Sequence, residues 1–468
     1  MGVEACSAEQ AIELSAKSEL ILDTSGNGNI KGTFPNYCEI VENDLYLKGK
    51  ISYNSLSGRV MVEGFYWNAK RHPLRDTDVS ELRMFISSRY GLDKEEPIRK
   101  AVEMVAEHHT YSPIVDALEA LPAWDGESRI ENLFPRYLGA EHSDYTTAVT
   151  TILLHGAIQR AMNPGVKFDV CIILSDPKQG TGKSTMCNML ALEDEFFTDG
   201  VNSFSNAKET FEIIRGRWVV ELGEMVATRN TKDIEMIKRF LSAKFDSYRE
   251  PYSKYSEQIP RQCIFIGTTN RTQFLPDDKS GNRRFLPIIC DGNRAEHHPL
   301  ENPAETREYI KQCYAEALEM GEVLGWELEL NPKFNDVVDS IREESTPEDV
   351  NVGLIESYLG KVAKTDIKYV CSKMIWDNVY NPDGPKRTAP KYELQDICEI
   401  MNKKITGWKR SVSASGKTVK RSCGSYGNQL AWERVENTDP TPTGIPTPAE
   451  KSEGGYEKTP DDDEIVFV

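Results

Sequence analysis

Two periods alternate along the chain. Apolar residues recur at three-to-four-residue spacing through Val79–Tyr90 and Ile98–Val105, and Tyr145–Met162 reads as one long helix. Between residues 165 and 300 the pattern shortens to unbroken apolar runs: Val170–Leu174, Trp218–Leu222, Cys263–Gly267 and Phe285–Cys290. Such runs, rich in β-branched residues and alternating with helical stretches, predict buried strands of a parallel α/β core. Upstream, Leu45–Leu47, Lys50–Tyr53 and Arg59–Val62 predict strands, which with the helices that follow make an α+β region. Downstream, a helix at Tyr392–Met401 precedes two strands, Gly407–Val412 and Lys417–Arg421, around the turn Ser413–Gly416. That order predicts a winged helix. The resulting division is an extension at 1–30, an N-terminal α+β domain at 31–150, a parallel α/β core at 151–340, a winged-helix-like domain at 345–434, and a tail at 435–468.

Chemistry gathers where the strands end. The first strand runs into Asp176-Pro-Lys-Gln-Gly-Thr-Gly-Lys-Ser-Thr185, and a helical stretch, Met186–Leu192, follows. Strand, glycine loop, Gly-Lys-Ser and helix is the setting of a phosphate-binding loop. Backbone N–H groups at the loop and helix start cradle an anion. The stretch Pro177, Lys178, Gln179, Gly180, Thr181, Gly182, Lys183, Ser184 and Thr185 is therefore the expected ATP contact. Lys183 would reach the phosphates, and Ser184 would place its hydroxyl on Mg²⁺. The pattern asks for glycine at position 177, where this chain has proline. Proline fixes φ and removes one N–H donor, so a modified cradle is expected.

The strand Trp218–Leu222 carries Glu221 near its end, with Glu224 just beyond. An apolar strand ending in a carboxylate suits the Walker B role of holding Mg²⁺ or orienting water, with both glutamates as candidates. Cys263–Asn270 ends in Thr-Thr-Asn, which places Asn270 where an amide can hold a water against the terminal phosphate. Arg283 and Arg284 precede the last strand and suit a finger reaching a neighbouring subunit's phosphates. Between the second and third strands, basic and aromatic residues interleave from Lys238 to Arg261, as DNA backbone neutralisation and base stacking require.

In order, these motifs resemble the virulence-associated E (VapE) family of phage and mobile-element ATPases, grouped with superfamily 3 replicative helicases. The resemblance rests on Trp124-Asp-Gly-Glu-Ser-Arg129, Pro164–Asp169, Gln179–Ser184, Trp218–Glu224, Asp246–Tyr252, Pro260–Asn270 and Gly281–Phe285. It implies an ATP- and Mg²⁺-dependent DNA helicase or translocase of the AAA+/superfamily 3 type. It further implies a homo-oligomeric, hexameric ring with ATP sites between subunits, and a DNA-translocating hairpin to which Arg249, Lys254 and Tyr255 are carried over. An ATP-switched DNA-binding initiator or loader without unwinding is the alternative. A small-molecule P-loop kinase is disfavoured, because it has no need of the arginine pair. Larger relatives carry a primase-polymerase domain at the N-terminus; the expectation here is that priming comes from a separate protein.

Charge refines this picture. The formal net charge is −18 over 468 residues, which excludes a simple DNA coat. Its distribution is uneven. Residues 403–434 hold eight basic and one acidic side chain, whereas 435–468 hold nine acidic and two basic. The basic block places Lys409, Arg410, Lys417, Lys420 and Arg421 on the expected wing as DNA contacts. The tail, with five prolines, has too little apolar surface to fold. Its tip, Asp461–Val468, sets four acids before four apolar residues and suggests docking to a primase, a polymerase or another replication partner. Ten scattered cysteines without a C-x-x-C pair predict reduced thiols and a cytoplasmic setting in a bacterial host. His108-His109 and His297-His298 lack metal-site spacing, so solvated or capping roles are expected. No apolar run approaches a membrane span, and no signal peptide is evident at the N-terminus.

Overall fold

The computed structural model describes residues 20–224, 231–248, 257–275, 283–346, 350–382, 384, 388–413 and 416–435. The expected hairpin residues Arg249, Lys254 and Tyr255, the extension up to residue 19 and the tail from 436 lie outside them. The chain divides into two compact units, Met1–Pro347 and Glu348–Val468.

The first unit opens with α1 (Phe34–Asn43), β1 (Ile51–Asn54), β2 (Arg59–Val62), β3 (His72–Pro73), α2 (Asp76–Tyr90), α3 (Glu95–His108) and β4 (Thr110–Tyr111). Their sheet has the order β3-β2-β1-β4 and packs on its own core of Tyr37, Ile40, Leu82, Ile86, Ile98 and Val102. One expectation changes here. Leu45–Leu47 is a turn, not a strand: Asp44 ends α1, and its carboxylate accepts the Tyr46 N–H at 2.8 Å while its carbonyl accepts that of Leu47. Such local side-chain bonds out-compete a ladder. The segment before it is a helix, started by Pro35 in its first turn and held by Tyr37, Ile40 and Val41 at helical spacing. Buried Asp78 ties this region together. It accepts from Arg75, from Trp67 Nε1 at 3.0 Å, and lies 3.0 Å from His72 Nε2. Burial alone would raise its pKa, but these hydrogen bonds outweigh it and hold the carboxyl at about 2.

Next come α4 (Pro113–Glu119), α5 (Leu133–Leu138) and α6 (Asp144–Met162). The division drawn at 150/151 runs through α6, and the break between hydrophobic cores lies earlier, near residue 112. The chain continues through β5 (Cys171–Ser175), α7 (Lys183–Leu190), β6 (Phe197–Thr198), α8 (Ala207–Ile214), β7 (Val219–Gly223), α9 (Thr231–Leu241), β8 (Phe245–Tyr248), β9 (Glu257–Pro260), β10 (Ile264–Thr269), β11 (Phe285–Ile289), α10 (Pro303–Leu324) and α11 (Asn335–Glu344).

Five of these strands form one sheet in the order β11-β5-β10-β7-β6, and every pair in it is parallel. β5 and β10 are buried at every position, which explains their unbroken apolar runs. α6 is buried along most of its length. Its Gly156 has no room for a Cβ, because the Phe168 ring would stand within 2.2 Å of it. β8 and β9 pair as a separate antiparallel hairpin. The segment Trp124–Arg129 is a turn docked on α10. Buried Glu316 accepts from Ser128 Oγ at 2.8 Å and from the N–H groups of Arg129 and Ile130 at 2.7 and 3.0 Å.

The second unit contains α12 (Val350–Val362), β12 (Tyr369–Cys371), α13 (Ser372–Ile375), α14 (Lys391–Lys403), β13 (Trp408–Arg410), β14 (Lys420–Ser422) and β15 (Asn428–Arg434). Its core gathers Ile355, Val370, Trp376, Ile397, Ile400 and Trp432. The expected two-strand wing is altered. β13 and β14 each pair with β15 rather than along their length with one another, and only the bridge Val412–Thr418 joins them at the turn. Buried Ala431 and Trp432 fix β15 in that place.

Among the described residues no helix is long and apolar enough to cross a membrane. The nine described cysteines are free thiols, seven of them buried.

Candidate functional site

The parallel sheet brings the ends of β5, β7 and β10 to one edge, where the distances between the expected residues are short. Residues 176–182 leave β5 as a loop exposed at 177–180, with Asp176 and Thr181 buried, and Gly180 and Gly182 sit at φ +74° and +92°, a backbone that side chains disfavour. Lys183 opens α7 and is buried. Its Nζ donates to Asn270 Oδ1 at 2.9 Å and to Asp176 O, Lys178 O and Thr181 Oγ1 at 3.3 Å each. The loop thus folds around its own ammonium. Pro177, Lys178 and Gln179 are exposed, and Thr185 is half-buried in the first turn of α7. The Lys178 N–H turns back to Asp176 Oδ1 at 2.9 Å.

Glu221 is 3% exposed, and one of its oxygens, Oε1, accepts from Ser184 Oγ at 2.6 Å and from Thr268 Oγ1 at 2.5 Å. The other, Oε2, is buried and has no hydrogen-bond partner among the described residues. A buried carboxylate oxygen without a donor beside a hydroxyl is suited to a hard cation or the water bound to one. The Ser184–Glu221 pair therefore fits Mg²⁺ on chemistry. No group of three or more His, Cys, Asp or Glu gathers as a metal site among the described residues.

Glu224 follows β7 in a left-handed conformation, φ +53°, which costs a non-glycine residue of order 1 kcal/mol. Its carboxylate accepts the Asn270 N–H at 2.9 Å and the Thr269 hydroxyl at 3.2 Å, with Arg271 Nε 3.7 Å away. Glu224 and Asn270 thus lie together at the exposed end of the sheet. The cluster unites Lys183, Ser184, Glu221, Glu224 and Asn270 from three strands.

The arginine pair is elsewhere. Arg284 precedes β11, and Phe285 aligns with Cys171, the first residue of β5. Both arginines therefore stand at the opposite edge, a strand length of roughly 15 Å from the loop. Arg284 is half-buried, donating to Ser242 Oγ at 2.9 Å and pairing with Asp169 at 3.3 Å. Arg283 is exposed beside a cavity of about 180 Å³ that Lys167, Glu329 and Arg342 also line. The root of the β8–β9 hairpin is at this edge too. Buried Arg261 pairs with Asp246, donates to the Phe240 carbonyl and stacks over the Phe240 ring at 4.2 Å. Fully buried Arg160 donates to Arg261 O at 3.2 Å and Phe168 O at 2.7 Å; burial lowers its pKa to about 10.

In the second unit the expected DNA contacts divide. Lys409, Lys417 and Lys420 are exposed, and Lys409 lies 3.9 Å from Glu433. Arg410 stacks over Trp432 at 4.1 Å, and Arg421 bonds Ser411 Oγ, so both are partly committed to the fold.

Several contacts were not foreseen. Thr268 and Thr269, read only as the approach to Asn270, hold the two glutamates. Asp176 Oδ2 accepts the Gly292 N–H at 2.9 Å. His297 pairs with Glu301 at 3.2 Å, as a solvated histidine does, but His298 Nε2 lies 3.3 Å from Gly180 O on the loop itself. No sequence signal joins residues more than a hundred positions apart.

No curated protein matches this chain. Among solved structures it is similar to the apo structure of the NrS-1 C terminal region (305–718), at 15% identity and a TM-score of 0.44, covering 82% of this chain and 95% of that one. Two A form apo structures of the same region are each 14% identical and cover 82% of this chain, with TM-scores of 0.44 and 0.46 and 96% and 95% of their own lengths matched. Residues 118–346, just under half of the chain and spanning every motif from Trp124 to Arg284, match the model of the Virulence-associated protein E-like domain.

Proposed function

We propose that this chain is a Mg²⁺-dependent ATPase that acts on DNA in the replication of a phage or mobile element, as a helicase or translocase. The observation that carries the reading is the cluster Lys183–Asn270–Glu221–Ser184 at the carboxyl edge of a parallel sheet. β10, which ends at Thr269 just before Asn270, lies between the loop strand and the Glu221 strand, an order that supports the additional-strand P-loop reading. The Virulence-associated protein E-like match supports the same reading.

In this reading Lys183 releases the loop carbonyls and places its ammonium on the β- and γ-phosphates, while Asn270 Oδ1 keeps that ammonium oriented. Ser184 and Glu221 would hold Mg²⁺, which would supply charge neutralisation at the transferred phosphoryl group. Glu224, exposed and aimed by Asn270 N–H, accepts the proton of the attacking water. Arg283 or Arg284 stands too far from its own loop to help, so in this reading it serves a neighbouring copy, an arrangement consistent with a ring of subunits. Arg283 is the more accessible, with Arg284 anchored to Asp169. DNA contacts fall to the hairpin residues Arg249, Lys254 and Tyr255 and to the basic strands of the second unit. The acidic tail recruits a replication partner.

The deciding experiment is strand displacement on forked DNA with Mg·ATP. ATP-dependent separation is expected. ATP hydrolysis and DNA binding without separation would make the chain an ATP-switched initiator or loader.

A further inference from the structure

The segment that follows β11 touches the expected phosphate loop at every second residue. Gly292 N–H donates to Asp176 Oδ2 at 2.9 Å. Lys178 Nζ donates to Asn293 Oδ1 at 3.1 Å. His298 Nε2 lies 3.3 Å from Gly180 O. Pro299 packs on Gly182 so closely that a Cβ there would meet its ring at 2.7 Å.

The segment has no slack on either side. A Cβ on Gly292 would stand 2.6 Å from the Thr181 methyl, and one on Gly139 would stand 2.0 Å from Asp291 O. On its far side the end of α5 holds it: Leu138 O accepts the Asp291 N–H, and Arg136 O accepts those of Glu296 and His297. The segment is a splint wedged between α5 and the loop.

The His298 tautomer is set by its surroundings. Leu300 N–H donates to Nδ1 at 3.1 Å, so Nδ1 is an acceptor and the ring proton sits on Nε2. Nε2–H then donates to the Gly180 carbonyl and keeps that oxygen turned toward His298. An anion cradle needs the opposite group of the same peptide unit, the N–H of Thr181, to face inward.

The loop has reason to need such a splint. Pro177 supplies no N–H, and the Lys178 N–H is spent on Asp176 Oδ1. Two donors are thereby withdrawn, and the cradle depends on the amides from Gln179 onward. These are the ones flanked by the Asn293 and His298 contacts. We infer that residues 291–299 preset the phosphate loop for nucleotide, with Asn293 and His298 as positioning residues that compensate for Pro177. This rests on the ATPase reading above.

The test uses the full chain. Hydrogen–deuterium exchange across 178–183, without nucleotide, should speed up in Asn293→Ala and His298→Ala while the thermal midpoint stays put. Each variant should bind Mg·ATP about five- to tenfold more weakly, the worth of one hydrogen bond, with the loss in KM rather than kcat. His298→Gln, which keeps an N–H donor, should recover much of the affinity. Unaltered exchange in both alanine variants would overturn the inference, as would faster exchange with wild-type affinity for ATP. Failure of the wild-type chain to bind Mg·ATP would instead sink the ATPase reading, and the exchange data would still report whether the splint holds the loop.

Discussion

The two edges of the parallel sheet are built from the same strands and do different work. At the carboxyl edge, side chains from the start of α7 and the ends of β7 and β10 bond to each other: Lys183 to Asn270, Ser184 and Thr268 to Glu221, Thr269 to Glu224. At the amino edge the polar groups serve as anchors for what projects beyond the sheet. Arg261 and Asp246 root the hairpin, and Arg284 with Asp169 fixes the turn into β11. One edge closes on a compact polar cluster around Lys183 and Glu221. The other ties Arg261 to Asp246 and Arg284 to Asp169 and leaves Arg283 exposed. The difference teaches that one set of strands can present two chemically distinct ends, a cluster of side chains bonded to one another and a set of ion pairs that anchor flanking segments.

The sharpest way to break this contrast is to remove the outward cations. Arg283→Ala and Arg284→Ala together should lower ATP turnover about 10³-fold or more, the usual worth of an arginine finger. Mixing this variant with Lys183→Ala chains should restore part of the activity, because some interfaces then pair an intact loop with an intact finger. Full-rate hydrolysis by a monomer would end the two-copy account. At the other edge, Lys183→Ala should cost about 10²–10³-fold in turnover with the far-ultraviolet circular dichroism preserved. A near-normal rate would remove the loop from the chemistry.

Acid offers a control that should touch neither edge first. Asp78 is held below its ordinary range, so its contribution is present above the unfolded carboxyl's pKa near 4 and is lost as pH falls toward about 2. About 2 kcal/mol should disappear across that window, measured as denaturant midpoint against pH, and Asp78→Asn should flatten the slope. The smallest effect concerns the hairpin beyond the amino edge. Arg249→Ala or Lys254→Ala should reduce the DNA-stimulated ATPase more than the basal rate, and lower the salt slope of DNA binding by about one. Equal loss of both rates would assign these residues to structure.

The sheet was legible because its strands are buried on both faces, which forces long apolar runs that no surface element carries. Lys183, Ser184, Glu221, Glu224 and Asn270 could each be picked out by their place at a strand end. Their partners could not. That Asn270 Oδ1 holds Lys183 Nζ depends on β10 inserting between β5 and β7, a matter of strand order rather than of any local string. The short elements misled for a different reason. Leu45-Tyr-Leu has strand composition, yet one aspartate ahead of it supplies a turn. Asn428–Arg434 pairs with three strands although its exposed Leu430 breaks the alternation expected of one.

The Glu316 clamp sets a timetable for synthesis. Its carboxylate joins donors 186 to 188 residues earlier in the chain. At roughly 5–20 residues per second, a ribosome needs on the order of ten to forty seconds to span that distance. Throughout that interval the Trp124–Arg129 turn has no anchor, and the apolar face of α6 has no α10 to cover it. A fragment ending before α10 is therefore expected to leave that face uncovered and to be recovered bound to a holding chaperone rather than folded.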